Sequence, residues 1–241
     1  MKPDPQSYQL PFLPNITFGA YPGHFDRDRA VTRIRSFVKA GITFFIDVTR
    51  DDDGLEPYIT LYSEVSPEGA EPPLHQRFPI RDQSVPDKPG DMIRILDALD
   101  DAVEQGHHVY LHCWGGIGRT GMVAGCYLVR HGLSGELALK EVSRIFKGTP
   151  LGKAGRQSPE TYEQRRFVLE WAAHDPKAAW SGNAELEFRA RRYARLLIAE
   201  AGGDLDAARK EANERANAAS ADGSQGTGQV WARVAEILTT D

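Results

Sequence analysis

The run VYLHCWGGIGRTGMVAGCYLVRHG, residues 109–132, constrains the fold of this 241-residue chain more than any other stretch. Val109–His112 reads as a short buried strand. The next six residues hold three glycines, too many for regular structure, and from Gly118 the apolar pattern is helical until Gly132 stops it. A strand that passes through a glycine turn straight into a helix is a building unit of layered α/β folds.

The flanking sequence extends that pattern. NITFGA at 15–20 reads as a strand closed by Tyr21-Pro22-Gly23. Val31, Ile34 and Val38, with Phe37 beside them, predict a helix over 26–40 that ends at Gly41. ITFFIDV, at 42–48, is apolar on both faces, as a strand buried between helices should be. Asp51-Asp52-Asp53-Gly54 reads as a polar turn, and a second helix after it is cut short by Pro67. A strand over 74–80 leads into the loop RDQSVPDKPG. Met92, Ile95, Leu96, Leu99 and Val103 then mark an amphipathic helix, and further helices are expected over 134–147 and 159–173. This alternation predicts an α/β fold with a central, mainly parallel sheet flanked by helices, in which ligands bind beyond the carboxyl ends of the strands.

Residues 1–15 hold four prolines and read as an extended N-terminal segment. The α/β domain is expected over 16–182. From Trp180-Ser181-Gly182 onward the character changes: residues 183–241 are alanine-rich and carry no strand signal. They read as a C-terminal all-α appendage of three helices, the first broken at Gly202-Gly203, the second capped by Asp204, the third set off by GSQGTG.

Charge and cysteine usage narrow the function. The net charge of −5 argues against a nucleic-acid partner, which calls for a basic excess. Cys113 and Cys126 are too few for a disulfide framework or a zinc cluster, so a reduced, cytoplasmic setting is expected. The N-terminus lacks a signal-like apolar core, and no run approaches the ~20 apolar residues of a membrane span. No membrane role is expected, and oligomeric state stays open.

HCWGGIGRTG itself has the parts of an anion cradle. Successive backbone N–H groups of Trp114, Gly115, Gly116, Ile117 and Gly118 can point inward, and a helix N-terminus adds positive potential. Arg119 supplies a planar two-pronged donor that matches a phosphate. A cysteine in such a field should have a pKa well below ~8.5 and act as a nucleophile. Thr120 could give its hydroxyl proton to the sulfur. His112 reads as a structural support, and Cys126 as core. Phosphoryl transfer needs little beyond positioning and charge stabilisation, so neither metal nor cofactor is required. An acid for the leaving oxygen is offered by Asp82 or Asp87, and a water-orienting group by Gln157, Glu160 or Gln164 in QSPETYEQRRF.

These residues resemble the protein tyrosine phosphatase superfamily, whose signature is His-Cys, five residues, then Arg and Ser or Thr. His112, Cys113, Gly116, Gly118, Arg119, Thr120 and Gly121 match it. FPIRDQSVPD looks like the general-acid loop of the dual-specificity branch, which selects Asp82. SPETYEQRRFVLEW resembles the late segment in which two polar residues four apart orient water, here Glu160 and Gln164, although larger members carry Gln at the first place. The resemblance spans about residues 16–171. It implies a compact, dual-specificity-like phosphatase that forms a phosphocysteine, with a phosphorylated protein or peptide as partner. Trp114, Gly115 and Ile117 add no lysine to the loop, which disfavours an inositide. The competing functions are a phosphate-binding module without turnover, a phosphatase of non-protein phosphomonoesters, and arsenate or sulfur chemistry with Cys126 as the resolving thiol.

Overall fold

The computed structural model describes residues 4–10, 15–67, 69–178, 182–221 and 225–240. The chain divides into two compact units, one of residues 1–130 and 134–178, the other of 131–133 and 179–241.

The first unit is built on a five-stranded sheet. Its strands are β1 (Tyr8–Gln9), β2 (Ile16–Gly19), β3 (Phe44–Asp47), β4 (Leu74–Arg77) and β5 (Val109–His112), in the order β1-β2-β5-β3-β4. All pairs are parallel except β1 on β2, so the sheet is mainly parallel, as expected from the alternating pattern. β1 lies in the segment read as an extended lead-in. Its Tyr8 is buried and stacks on Phe18 at 5.8 Å, while Gln9 faces out. The inward tyrosine, followed by the buried Leu10, makes the segment a strand despite its prolines.

Register decides where a ligand can bind. His112 is level with Gly19 on one side and Asp47 on the other, and Asp47 is level with Arg77. Four parallel strands therefore end together, and their loops open on one edge.

Helices cover both faces. α1 (Arg27–Lys39) starts at Asp26, whose carboxylate accepts the Arg29 N–H, and buries Ala30, Val31, Ile34 and Phe37. With α2 (Tyr62–Val65) it packs an aromatic cluster of Phe37, Phe45, Tyr58, Tyr62 and Tyr110. The other elements are α3 (Pro89–Glu104), α4 (Gly118–Arg130), α5 (Gly135–Phe146), the short α6 (Pro150–Lys153) and α7 (Tyr162–Glu170). α6 has no counterpart in the sequence reading.

α4 is buried along its whole length. Gly118, Gly121 and Gly125 form one seam on it. A Cβ on Gly125 would stand 2.8 Å from a Val168 methyl, one on Gly121 would collide with the Ser158 hydroxyl, and one on Gly118 would lie 2.8 Å from Gln164 Oε1. The glycines thus let the segment 158–168 lie directly on the helix backbone.

The second unit holds α8 (Gly182–Glu200), α9 (Leu205–Ala221) and α10 (Gln225–Thr240), so the C-terminal region is helical as expected. Alanines 190, 194, 208 and 212 pack with Leu197, Val230, Val234 and Leu238. Gly202 and Gly203, at φ of 64° and 94°, end α8, and the Asp204 carboxylate caps α9 by accepting the Asp206 and Ala207 N–H groups. Gln225–Gly228 of the expected separator GSQGTG is helical; residues 222–224, like 179–181 at the expected boundary, lie outside the described residues. No helix among the described residues is long and apolar enough to cross a membrane.

A polar network sits buried below the carboxyl edge of the sheet. Burial pushes His112 down to about 4, against the opposing pull of Asp47. The neutral ring donates from Nδ1 to the Cys113 carbonyl at 3.2 Å and accepts at Nε2 from the Tyr58 hydroxyl at 2.6 Å, the tautomer that these partners require. Burial opposes the charge of Asp47, yet the facing His75 and His112 rings and two Thr49 donors outweigh it and hold the carboxyl well below the usual range. Arg77 Nε adds a bond of 3.1 Å to the same carboxylate.

This network gives a pH dependence of defined sign. Between pH 6.5 and about 4 the unfolded chain binds a proton at residue 112 that the folded chain does not. Stability is therefore complete above pH 6.5 and falls on acidification through that window, by on the order of 3 kcal/mol. Thermal melts across pH 4–7 should show that slope, and His112→Gln should flatten it. An equal slope in the variant would assign the loss to other groups.

Candidate active site

The residues singled out in HCWGGIGRTG converge on the open edge. His112 ends β5, the turn 113–117 follows, and Gly118 begins α4. Gly116 has a φ of 69°, and a Cβ there would come within 2.5 Å of the Gly19 carbonyl carbon, so only glycine lets the turn cross β2. The turn is tied on all sides. Tyr21 N–H donates to the Trp114 carbonyl at 2.8 Å, and the Ser158 hydroxyl donates to the Ile117 carbonyl at 2.7 Å. Cys113 and Ile117 are buried, whereas Trp114 is 54% exposed.

Thr120 is placed differently from the expectation. Its hydroxyl accepts the Cys113 N–H at 2.9 Å and donates its one proton to the Gly19 carbonyl at 3.2 Å. That proton is committed to the end of β2 and not to sulfur, so Thr120 acts as a strut between two strand ends. Cys126 lies in the core of α4, where burial pushes its thiol well up.

Arg119 is the most constrained charge of the site. Its side chain has no exposed surface, and burial works against its charge, but Cys113, Asp53 and Asp82 together raise its pKa. Nη1 donates to Asp53 at 2.6 Å and to the Ile80 carbonyl at 3.0 Å. Nε and Nη2, the other edge of the guanidinium, have no hydrogen-bond partner among the described residues. Asp82 reaches Nη2 at 2.9 Å, an ion-pair distance outside hydrogen-bond geometry, and its side chain is 47% exposed. Asp87 is also exposed, five residues further on.

Asp53 was missed as a functional candidate. By sequence, Asp51-Asp52-Asp53-Gly54 reads only as a polar turn. Yet three carboxylates directly after a strand of the parallel sheet, at its ligand-facing end, could have been matched to the lone loop arginine. The turn shapes the outcome: Asp53 also accepts the Arg50 N–H at 3.3 Å, and Gly54 closes the turn in the left-handed region.

Glu160 and Gln164 lie at the start of α7 in different settings. The Glu160 carboxylate pairs with the Arg156 guanidinium. Gln164 is fully buried: Oε1 accepts the N–H groups of Glu160 and Thr161, both at 3.2 Å, and Nε2 donates to the Ser84 carbonyl at 3.0 Å. Gln157 is exposed and apart from these contacts.

The chain is similar in sequence and in fold to known proteins. The "Putative tyrosine phosphatase 067L" of Invertebrate iridescent virus 3 is 29% identical over 114 residues, 46% of this chain and 41% of that protein. Its counterpart 197R of Invertebrate iridescent virus 6 is 28% identical over 131 residues, 52% of this chain and 43% of that protein. The chain thus spans about two-fifths of the length of these curated relatives. The active form of Tk-PTP shares the fold, with a TM-score of 0.51 and 23% identity over 66% of this chain and 91% of that one. The family described as "PTP-SAK: Swiss Army Knife protein, DSP-PTPase phosphatase domain" matches residues 23–168, more than half of the chain. With the cysteine turn, its arginine and the strands β3, β4 and β5 inside that match, the chain belongs to this family of phosphatase domains.

Proposed function

We propose that the chain is a cysteine-dependent phosphoprotein phosphatase that hydrolyses phosphotyrosine, and phosphoserine or phosphothreonine as well, through a phosphocysteine intermediate. The observation that carries this reading is the divided guanidinium of Arg119. One end is fixed by Asp53 and Ile80, while the buried Nε–H and Nη2–H edge is left to donate to two oxygens of a tetrahedral oxyanion.

In the proposed reaction the backbone N–H groups of residues 114–119 and the Arg119 fork bind the phosphoryl oxygens. The Cys113 thiolate attacks phosphorus, and the bond from phosphorus to the leaving oxygen breaks. Asp82, carried on an exposed loop, gives up its ion pair with Arg119 to the incoming phosphate, takes up a proton from solvent as a carboxylic acid, and passes that proton to the leaving oxygen. Water then attacks the phosphocysteine, Asp82 takes its proton, and inorganic phosphate departs as the thiolate returns. His112 supports the turn from below through the Cys113 carbonyl, and Thr120 braces it from the side.

A phosphorylated protein or peptide as substrate is supported by the exposed Trp114 and the uncharged turn residues, and by the tyrosine-phosphatase names of the viral relatives. A reducing, cytoplasmic setting suits a protein whose two cysteines are both free. Binding without turnover is disfavoured, because nucleophile, arginine and acid candidate all converge on one edge.

Replacing Cys113 with Ser should abolish hydrolysis of p-nitrophenyl phosphate and of phosphopeptides while phosphopeptide binding persists in calorimetry. Turnover in that variant, or none in the wild type between pH 5 and 8, would sink the enzyme reading. Asp82→Ala should slow substrates with poor leaving groups by roughly 10²–10⁴-fold, and Asp87→Ala should not. Asp53→Asn should lower kcat/KM on every substrate alike by roughly 10- to 100-fold, equivalent to about 1.5–3 kcal/mol, the scale of a hydrogen bond to a charged group. A wild-type value would show that Arg119 is held without Asp53.

A further inference from the structure

We infer that Gln164 is a positioning residue that clamps the acid-bearing loop to the phosphate-binding turn, and that it acts on the reaction through Asp82 and not through the attacking water. The inference rests on the phosphatase reading above and adds to it a residue that sets the acid.

Three segments meet at this one side chain. Oε1 takes two backbone N–H groups at the head of α7, from Glu160 and Thr161. Nε2 donates to the Ser84 carbonyl, two residues beyond Asp82. The same amide lies against Gly118, the first residue of α4, where a Cβ would stand 2.8 Å from Oε1 and 3.0 Å from Nε2. The side chain is fully buried and its Oε1 already accepts two bonds, so it is not presented as a free polar group to a substrate or a water.

The loop on the far side of the clamp needs holding. Gln83, between Asp82 and Ser84, has a φ of 56°, a left-handed conformation unfavourable for any residue with a Cβ. The turn is closed locally by the Ser84 N–H on the Arg81 carbonyl at 3.2 Å. Arg119 holds the Ile80 carbonyl just before the turn, and the Ser84 carbonyl to Gln164 fixes the far side of the turn, beyond Asp82, to the phosphate-binding side of the unit. Asp82 itself is half exposed and, among the described residues, meets the site through the Arg119 ion pair. When a phosphate takes the Nη2 edge of Arg119, that ion pair is lost, and the Ser84–Gln164 bond is what keeps Asp82 over the leaving oxygen.

Glutamine suits the place because it offers an acceptor to two N–H groups and a donor to a carbonyl at once. Glutamate keeps the shape and the acceptor but sets an oxygen against the Ser84 carbonyl. Gln164→Glu is therefore expected to lower kcat/KM for phenyl phosphate by roughly 10- to 100-fold, a part of the 10²–10⁴-fold effect of a general acid. For p-nitrophenyl phosphate, whose leaving group needs little proton transfer, kcat/KM should stay within about twofold. In an Asp82→Asn background the same substitution should add less than about twofold on either substrate, because the group it positions is gone.

Because kcat/KM reports only steps up to formation of the phosphocysteine, a water-orienting Gln164 would leave kcat/KM unchanged on both substrates and lower kcat alone; that result would overturn the inference. Equal losses on both substrates, persisting in the Asp82→Asn background, would also overturn it and place the effect on the phosphate-binding turn. If Gln164→Glu fails to melt like the wild type, Gln164→Asn carries the same expectation, since it keeps the amide but is one methylene too short to reach Ser84. Absence of Cys113-dependent turnover in the wild type would instead remove the phosphatase reading itself, so the two failures are distinguishable.

Discussion

A guanidinium with no exposed surface is the constraint around which the sheet edge is organised. Removing such a charge from water costs several kcal/mol unless oppositely charged and polar partners replace the solvent. Beyond the Cys113 sulfur, Arg119 does not find those partners within its own turn. They come from other strands: Asp53 from the turn after β3, and Ile80 and Asp82 from the chain after β4. Delivering them to one point requires strands that end level with one another, and the register of Gly19, His112, Asp47 and Arg77 provides that.

Charge is layered on this edge. The arginine occupies the open side, while the side toward the core is held by a neutral histidine and a phenol. Asp47 remains ionised there, but its charge is met by Arg77 and the Thr49 donors before it reaches the turn. Keeping His112 uncharged lets one ring nitrogen donate to the Cys113 carbonyl and the other accept from Tyr58. A protonated ring would reverse the second of these, with Nε2–H donating to the Tyr58 oxygen and the hydroxyl proton turned away to another acceptor.

What could be read from the sequence divides along physical lines. The strand–turn–helix at Cys113, the helix from Asp26 and the buried strand ending at Asp47 are local patterns of period and punctuation, and the structure has them where the sequence put them. The residues of the turn and its arginine announce their chemistry by spacing alone. β1 did not show, because two residues between prolines carry no period, and their strand character depends on Phe18 as a partner. Asp53 was visible as part of an acidic turn, but its role depends on a contact 66 residues away in sequence. The same holds for Gln164, which meets Ser84 across 80 residues, and for Thr120, whose hydroxyl proton goes to Gly19 across 101 residues. Side-chain type could be read there, but not the direction in which each group points.

The glycine seam of α4 ties the turn to the packing of the helix behind it. Gly118 closes the turn and also begins the contact that seats Gln164, Ser158 and Val168 on the helix. Any change in helical phase downstream, even one residue inserted among the apolar positions after Gly125, leaves the turn intact but rotates the later contacts by about 100°. A change upstream rotates the whole seam away from its partner segment. Mutational drift on α4 is thus confined to swaps that preserve phase, and the helix behaves as a key cut for a single lock rather than as a generic apolar filler.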